Sequence, residues 1–153
     1  METVKDIIAK HPFFDGLEPQ HVELIAGCGR NVKFEEGTYI FRQGDPSDYF
    51  YLLRHGRAAL EITVPDRNPL TVQTLDGGDV LGASWLVPPY RRTWDAKALE
   101  LVRAVALDAT CLRGKCEADT GLGYNLMKKF VPALIERLEA ARLQVLNVYG
   151  SED

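Results

Sequence analysis

Turn-forming residues recur at short intervals between residues 30 and 108, and this spacing most limits the folds open to the chain. Glycine, proline and Asx residues interrupt the segment at Gly37, Gly44-Asp45-Pro46, His55-Gly56, Pro65-Asp66-Arg67-Asn68-Pro69 and Asp76-Gly77-Gly78. Between two of these turns the apolar residues alternate with a period of two, which indicates a strand with one buried face, at Ala58, Leu60, Ile62 and Val64. Short strands at this density predict a β-sandwich or a jelly roll.

The residues on either side of this segment are patterned as helices. Thr3 and Asp6 fit a capping box, and Pro19 fits the first turn of a second short helix. A chain of 153 residues with 46% hydrophobic residues can bury one core, so we expect a single domain over 1–153. Its predicted parts are a helical N-terminus, a β-rich body and C-terminal helices, over residues 1–29, 30–108 and 109–150.

A heptad pattern predicts that the last part contains a long helix. Apolar residues alternate four and three positions apart at Met127, Val131, Leu134, Leu138, Ala141, Val145 and Val148. The helix either lies across the β-rich body or forms the seam of a parallel or antiparallel dimer, since further apolar residues widen its face enough for both. Pro132 would cost about 3 kcal/mol inside a helix, so we expect a kink or a new helix start there.

Charge and hydropathy narrow the function classes. The formal net charge of -4 argues against a chain that mainly neutralises nucleic-acid phosphates. No apolar run approaches the roughly 18 residues of a membrane span, and the N-terminus is too charged for a secretion signal. We therefore expect a cytoplasmic protein with no direct contact to nucleic acid or membrane.

No sequence motif indicates catalysis or metal binding. The three histidines are far apart, and no hydrolase, phosphate-loop or zinc-protease motif is present, so we expect no enzyme, no catalytic residue and no metal. Cys28, Cys111 and Cys116 form an odd set with no C-x-x-C spacing, which favours reduced thiols.

The stretch GGDVLGASWLVPPYRRTWDA, residues 77–96, has the parts of an anion-binding loop. Glycines let backbone N–H groups approach an anion, and a short helix starting near Gly82 would add its dipole. Arg91 or Arg92 offers planar, permanently charged donors suited to a phosphodiester, and Thr93 can add a hydroxyl. The alternative is that both arginines are solvated loop charges, since most arginines are exposed.

The order of these elements and motifs along the chain resembles that of the cyclic-nucleotide-binding domain of catabolite-activator-like proteins, over about Pro12 to Tyr149. The most specific pieces are FRQGDPSD at residues 41–48 with Gly56 following, and the glycine-rich stretch followed by Arg92-Thr93. The resemblance implies a mainly β fold: an eight-stranded jelly roll with two short N-terminal helices and a long C-terminal helix. It also implies a nucleotide pocket between the glycine-rich turn and the inner sheet.

Carried over by position, the resemblance assigns ligand contacts to Gly82, Ala83, Ser84, Arg92 and Thr93. Arg92 is preferred to Arg91 because residues 98–100 then fall where similar domains carry an Ala-Leu-Glu-like segment. Ala83 departs from the family, which has a glutamate there that accepts from the ribose hydroxyl. Trp94 replaces a small alanine, and with Trp85 it adds bulk that could fill the pocket.

Two functions follow as expectations. The first is a stand-alone regulatory sensor that binds a small anionic ligand, most simply cyclic AMP or cyclic GMP, requires no cofactor, and signals through its C-terminal helix. Because three residues follow Gly150, we expect no helix-turn-helix and regulation through a homodimer or a partner protein. The alternative, motivated by Ala83 and Trp94, is a ligand-free, degenerate domain used for protein–protein interaction or dimerisation.

Overall fold

The computed structural model describes residues 2–150, with side chains up to residue 147. Two short helices, α1 (Val4–Lys10) and α2 (Pro19–Ala26), flank a 3-10 turn at Pro12–Phe14. The predicted capping box is confirmed, because the Thr3 hydroxyl accepts from the Asp6 backbone while the Asp6 carboxylate accepts from the Thr3 backbone. Local side-chain chemistry thus starts the first helix where the sequence indicates.

Eight strands form two four-stranded antiparallel sheets, which confirms the predicted jelly roll with flanking helices. The strand order is β1-β8-β3-β6 in one sheet and β2-β7-β4-β5 in the other. The strands are β1 (Gly29–Phe34), β2 (Tyr39–Phe41), β3 (Tyr49–His55), β4 (Ala58–Ile62), β5 (Leu70–Leu75), β6 (Val80–Leu81), β7 (Asp95–Ala98) and β8 (Val102–Asp108).

Strand β3 separates two apolar cores, because successive side chains point to opposite faces of a sheet. Phe50 and Leu52 belong to the cluster shared with the helices, whereas Tyr51 and Leu53 belong to the cluster between the two sheets. All four side chains are buried. A strand buried on both faces therefore holds the helices against the roll.

Strand β4 differs in part from its predicted pattern. Ala58 and Leu60 are buried as expected, but the strand ends at Ile62, which is 37% exposed. Ala59 and Glu61, on the opposite face, are also buried, and Glu61 accepts a hydrogen bond from the Tyr39 hydroxyl. The expectation of one buried face is wrong here, because the side chains on both faces of β4 are covered by other parts of the molecule.

The turn between β3 and β4 requires a glycine. Gly56 has a φ of +91°, and a Cβ there would overlap the backbone of Leu101. A position that has left-handed backbone and also lies close to another chain segment accepts only glycine without a large loss of stability.

The C-terminal part consists of α3 (Ala109–Ala118) and α4 (Thr120–Gly150). Of the two alternatives expected at Pro132, a kink or a new helix start, the new start is wrong, since α4 runs through Pro132 and the break lies at Asp119. Asp119 has extended backbone and its carboxylate accepts from the Leu122 amide at 3.1 Å, which caps the start of α4.

Helix α4 packs on the body through one stripe and exposes another. Leu122, Leu126 and Phe130 are buried. The heptad residues are more exposed: Ala141 is half-buried, and the exposed members are Met127, Val131, Leu134, Leu138 and Val145. The side chain of Val148 falls outside the described residues. The helix therefore lies across the body while most of its heptad stripe faces away from it.

Cys28 and Cys111 form a disulfide, so the expectation of three reduced thiols is wrong for this pair. The two residues are 83 positions apart, yet their Cα atoms are 5.8 Å apart. The cause is the pairing of β1 with β8, in which Gly29 lies opposite Leu107. Only the tertiary pairing of distant strands brings these thiols together.

Candidate ligand-binding site

The loop between β2 and β3 fixes the backbone at Arg92. The Arg92 amide donates to the Asp45 carbonyl and the Arg92 carbonyl accepts from the Gly44 amide, both at 2.8 Å. Nearby, the Ser47 amide donates to the Tyr90 carbonyl at 2.7 Å. Backbone hydrogen bonds from the FRQGDPSD motif thus hold the segment that carries Arg92 in place.

A buried carboxylate reinforces this arrangement. Asp95 is 2% exposed and accepts from the Gln43 amide at 2.7 Å, the Thr63 hydroxyl at 2.6 Å and Arg42 Nε at 3.3 Å. Burial acts to raise the pKa of Asp95, but hydrogen bonds from Thr63, Gln43 and Arg42 outweigh it and lower the pKa. Asp95 stays ionised and ties β7 to the β2–β3 loop.

The Arg92 side chain points inward and is only 4% exposed. Its Nη2 donates to the Tyr49 carbonyl, and its Cζ lies 4.2 Å from the centre of the Phe41 ring. Nε and Nη1 are buried and have no hydrogen-bond acceptor in the part of the chain that the structure describes. Burial lowers the pKa of Arg92, an effect that the nearby Tyr51, Asp48 and Asp45 oppose. The guanidinium nevertheless stays charged, because arginine ionises far above neutral pH.

Gly82 packs against this guanidinium. Its φ is +93°, and a Cβ there would overlap Arg92 Nη1 and stand 3.2 Å from the Tyr49 carbonyl oxygen. The predicted short helix follows as a 3-10 turn at Ala83–Trp85, with Gly82 as its N-cap. The missing side chain is what lets the loop backbone and the arginine share this space.

These groups line a cavity of about 190 Å³ between the sheets and α4. Its wall includes all five predicted ligand-contacting residues: Gly82, Ala83, Ser84, Arg92 and Thr93. Phe41 and Leu60 line it from the sheet, and Leu134 and Arg137 line it from α4. The volume is below the roughly 300–1,000 Å³ of sites that enclose drug-sized ligands.

The two tryptophans have different positions. Trp94 is half-buried and lines the cavity, where its bulk narrows the space beside Arg92. Trp85 is fully buried in the cluster shared with the helices, stacked on Phe50 at 5.5 Å between ring centres. The hypothesis of Trp85 as a pocket-filling residue is wrong, because the 3-10 turn directs it into the core and away from the cavity.

The two adjacent arginines also differ in exposure and in the direction of their side chains. Arg91 is exposed and donates from Nη1 to the Gly44 carbonyl at 3.3 Å, whereas Arg92 is buried against the cavity. Thr93 is exposed at the rim. Neighbouring side chains on an extended segment point to opposite sides, which accounts for the difference.

Sequence reasoning missed two polar contributors. Arg137 lies in the heptad region of α4, where no motif marks it as a cavity residue. Ser47 lies in the FRQGDPSD motif, is 2% exposed, and its Oγ is 2.5 Å from Ser84 Oγ. The motif could have indicated Ser47, but nothing in the sequence relates Arg137 to Arg92.

Within residues 2–150, no group of three or more His, Cys, Asp and Glu side chains is placed to hold a metal ion. None of the helices described is both long and apolar enough to cross a membrane.

The fold and the cavity define a jelly-roll domain with a buried arginine beside a small cavity. The sequence profile of the cyclic nucleotide-binding domain matches residues 31–119, more than half of the 153 residues. The chain therefore belongs to the cyclic nucleotide-binding domain family, as the resemblance predicted.

Relatives include the CRP-like cAMP-activated global transcriptional regulator of Mycobacterium tuberculosis. It is 28% identical over 108 residues, which cover 71% of this chain and 48% of the regulator. The cAMP-dependent protein kinase regulatory subunit of Emericella nidulans is 43% identical over 96 residues, covering 63% of this chain and 23% of the subunit. The chain thus spans about half or less of the length of these relatives.

Solved structures agree with the fold. A Geobacter metallireducens GS-15 protein, provisionally assigned as cyclic nucleotide-binding, superimposes with a TM-score of 0.78 and 28% identity, covering 88% of this chain and 97% of that one. The Catabolite Activator Protein of Thermus thermophilus has a TM-score of 0.69 and 26% identity, covering 90% and 63%.

Proposed function

We propose that this domain is a regulatory sensor that binds a cyclic nucleotide or a similar phosphate-bearing small ligand, and that occupancy is transmitted through α4. The ligand's phosphate would contact Gly82, Ser84, Arg92 and Thr93. The domain has no catalytic role in this proposal, and a homodimer or partner protein would receive the signal.

The observation that carries the proposal is the state of Arg92. Two of its nitrogens are buried without acceptors beside a cavity, although a buried donor left unpaired costs about 1–3 kcal/mol. Phosphate oxygens are acceptors that match the guanidinium geometry. A bound phosphate would therefore satisfy donors that the protein itself leaves unpaired.

Ala83 sets an expectation for affinity. An alanine cannot accept a hydrogen bond from a ribose hydroxyl, and a hydrogen bond to a charged group contributes about 1.5–3 kcal/mol. That loss corresponds to about one to two powers of ten in affinity. We therefore expect weaker binding of cyclic AMP or cyclic GMP than in a domain with glutamate at this position.

The composition of the cavity wall supports transmission through α4. Leu134 and Arg137 lie on this helix and line the cavity, so a ligand there can contact α4 directly. Such a ligand shifts the helix only if it binds two helix positions with different affinity.

Calorimetric titration with cyclic AMP and cyclic GMP tests the proposal. We expect saturable binding that Arg92→Ala abolishes, because the phosphate would lose its buried cation. Arg91→Ala is the matched control, since it removes a neighbouring arginine that is exposed, and it should leave the affinity unchanged. No binding at submillimolar ligand, or equal effects of the two substitutions, would refute the proposal.

A second candidate function is a ligand-free interaction domain that self-associates or binds a partner subunit through α4. The observation that favours it is the apolar stripe on α4, in which Met127 is 46% exposed and Leu138 is 68% exposed. Exposed apolar stripes of this kind commonly mark interfaces.

Sedimentation equilibrium at micromolar concentration tests self-association through this stripe. We expect Leu138→Asp to dissociate a dimer, because the carboxylate would be buried in an apolar seam. Asn147→Asp is the control: it adds the same charge nine residues along, which is the opposite side of an α-helix. A wild-type chain that is already monomeric would rule out self-association through this stripe.

A further inference from the structure

Ser47 carries a buried hydroxyl that contacts the cavity wall without being part of it. The residue is 2% exposed, and the described residues that line the cavity include Ser84 but not Ser47. The two Oγ atoms are 2.5 Å apart, in a hydrogen bond for which either hydroxyl can be the donor. Buried hydroxyls are usually hydrogen-bonded, and the partner of this one is a residue of the cavity wall.

The backbone around Ser47 is bonded to the segment that carries Arg92. The Ser47 amide donates to the Tyr90 carbonyl at 2.7 Å, and the preceding residue, Pro46, forms an isolated β-bridge with Arg91. One residue further back, the Asp45 carbonyl accepts from the Arg92 amide. Ser47 therefore keeps a fixed position relative to the arginine.

The side chain of Ser47 contacts the other segment of the proposed phosphate site. Ser84 lies in the 3-10 turn at Ala83–Trp85, directly after Gly82, and is 37 positions from Ser47 in the sequence. Gly82 in turn packs against the guanidinium of Arg92. Ser47 thus joins the glycine turn to the arginine segment, with its side chain bonded to one and its backbone bonded to the other.

A phosphate bound between these two segments needs donors from both at the same time. Hydrogen bonds require donor–acceptor distances of about 2.7–3.2 Å, so the separation of the two segments limits how many donors reach one phosphate. A separation that is fixed before the ligand arrives also lowers the ordering cost of binding. A residue that fixes it can therefore change affinity without contact with the ligand.

We propose that Ser47 is a positioning residue for the ligand phosphate, and that its hydrogen bond to Ser84 sets the separation between the glycine turn and Arg92. This inference rests on the proposed function, since it takes the cavity to bind a phosphate, and it names a residue outside the cavity wall that determines how tightly the phosphate is held.

A double-mutant cycle in cyclic AMP affinity tests the proposal. We expect Ser47→Ala to weaken binding about two- to tenfold, the effect of one neutral hydrogen bond. Because Ser47 acts through Ser84, Ser47→Ala should have no further effect in a chain that already carries Ser84→Ala.

The affinity separates a positioning role from a purely structural one. Titration calorimetry well below the unfolding temperature reports on the folded chain, so a loss of stability alone would leave the affinity unchanged. Thr38→Ala is the control, because the Thr38 hydroxyl donates to the Glu35 carbonyl at 2.7 Å and Thr38 does not line the cavity. It also removes one hydroxyl hydrogen bond, and it should keep the wild-type affinity.

The outcomes distinguish this inference from the proposed function. If the wild type binds cyclic AMP and Ser47→Ala binds it equally tightly, the positioning inference fails and the proposed function stands. The same conclusion follows if Ser47→Ala weakens binding equally with and without Ser84→Ala, or if Thr38→Ala weakens it as much. If the wild type does not bind cyclic AMP at submillimolar concentration, the proposed function fails and this inference fails with it.

Discussion

Arg92 is a buried cation, and no carboxylate oxygen among the described residues lies within 4.0 Å of its guanidinium. Taking a charge out of water costs several kcal/mol after relaxation, and here it is offset by the Tyr49 carbonyl and the face of the Phe41 ring. The backbone bonds to Asp45 and Gly44 prevent the side chain from turning outward. At the scale of one residue, two buried Arg92 nitrogens without a hydrogen-bond partner are the observation behind the proposed phosphate contact.

Gly82→Ala tests how closely the loop backbone and Arg92 must approach. We expect the free energy of unfolding to fall by more than the roughly 1–2 kcal/mol of a left-handed alanine, because the new Cβ would also overlap Arg92 Nη1. Nucleotide binding should be lost as the guanidinium is displaced. Chemical denaturation and calorimetry measure the two effects.

Gly37→Ala is the matched control for this substitution. Gly37 has a similar φ of +85°, but nothing lies within 4 Å of the position of its Cβ. Gly37→Ala should lower the free energy of unfolding only by the cost of a left-handed alanine. It should leave nucleotide binding unchanged. Equal losses of stability and binding in the two variants would contradict the close packing of Gly82 on Arg92.

At the scale of elements, His11 joins the N-terminal helices to the roll. It is 6% exposed, its Nδ1 accepts from the Phe13 amide at 3.2 Å, and its Nε2 lies 2.9 Å from the Leu53 carbonyl oxygen. These partners require the neutral form with the proton on Nε2. Burial lowers the pKa of His11, against the opposing effect of the hydrogen bond to Leu53.

The lowered pKa predicts a stability change with pH. The unfolded chain binds a proton at His11 near pH 6.5, whereas the folded chain does so only at lower pH. The stability that depends on neutral His11 is therefore fully present above about pH 6.5. It falls as the pH drops from there towards the folded pKa, by at most about 1.4 kcal/mol per pH unit.

Thermal unfolding between about pH 7.5 and pH 5.5 measures this effect, which begins near the unfolded histidine pKa. His11→Gln should flatten the pH dependence, because glutamine does not titrate. His55→Gln, at an exposed histidine, should retain it. An unchanged slope in the His11 variant would show that other groups cause the dependence.

At the scale of the whole molecule, the disulfide closes a large loop around the β-rich body. Cys28 follows α2 and Cys111 lies in the first turn of α3, so the bond ties both helical parts together. A cross-link between residues 83 positions apart restricts the unfolded chain strongly.

Cys28→Ser should lower the free energy of unfolding by up to about 4–5 kcal/mol, the chain-entropy limit for a loop of this length. Cys116→Ser, which removes the third cysteine, should change stability far less. Reducing agent should bring the wild type to the level of Cys28→Ser. Three reactive thiols in the unfolded, unreduced chain would contradict the bond.

Sequence patterns predicted the elements better than the site. The Thr3 capping box, the turn residues and the position of Arg92 were predicted because each depends on a few adjacent residues or on a family motif. The Cys28–Cys111 bond and the packing of Trp85 in the core were not, since each depends on which distant segments meet.

The sequence by itself determined the class of fold, the helical ends and the presence of an arginine beside a glycine-rich turn. Caps, turns and hydrophobic period act within about one turn or one strand, so they can be interpreted locally. Only the tertiary structure decided that Arg137 of α4 lines the same cavity as Arg92, and that most of the heptad stripe stays exposed. The physical reason is that charge and burial depend on neighbours in space, and those neighbours come from parts of the chain far apart in sequence.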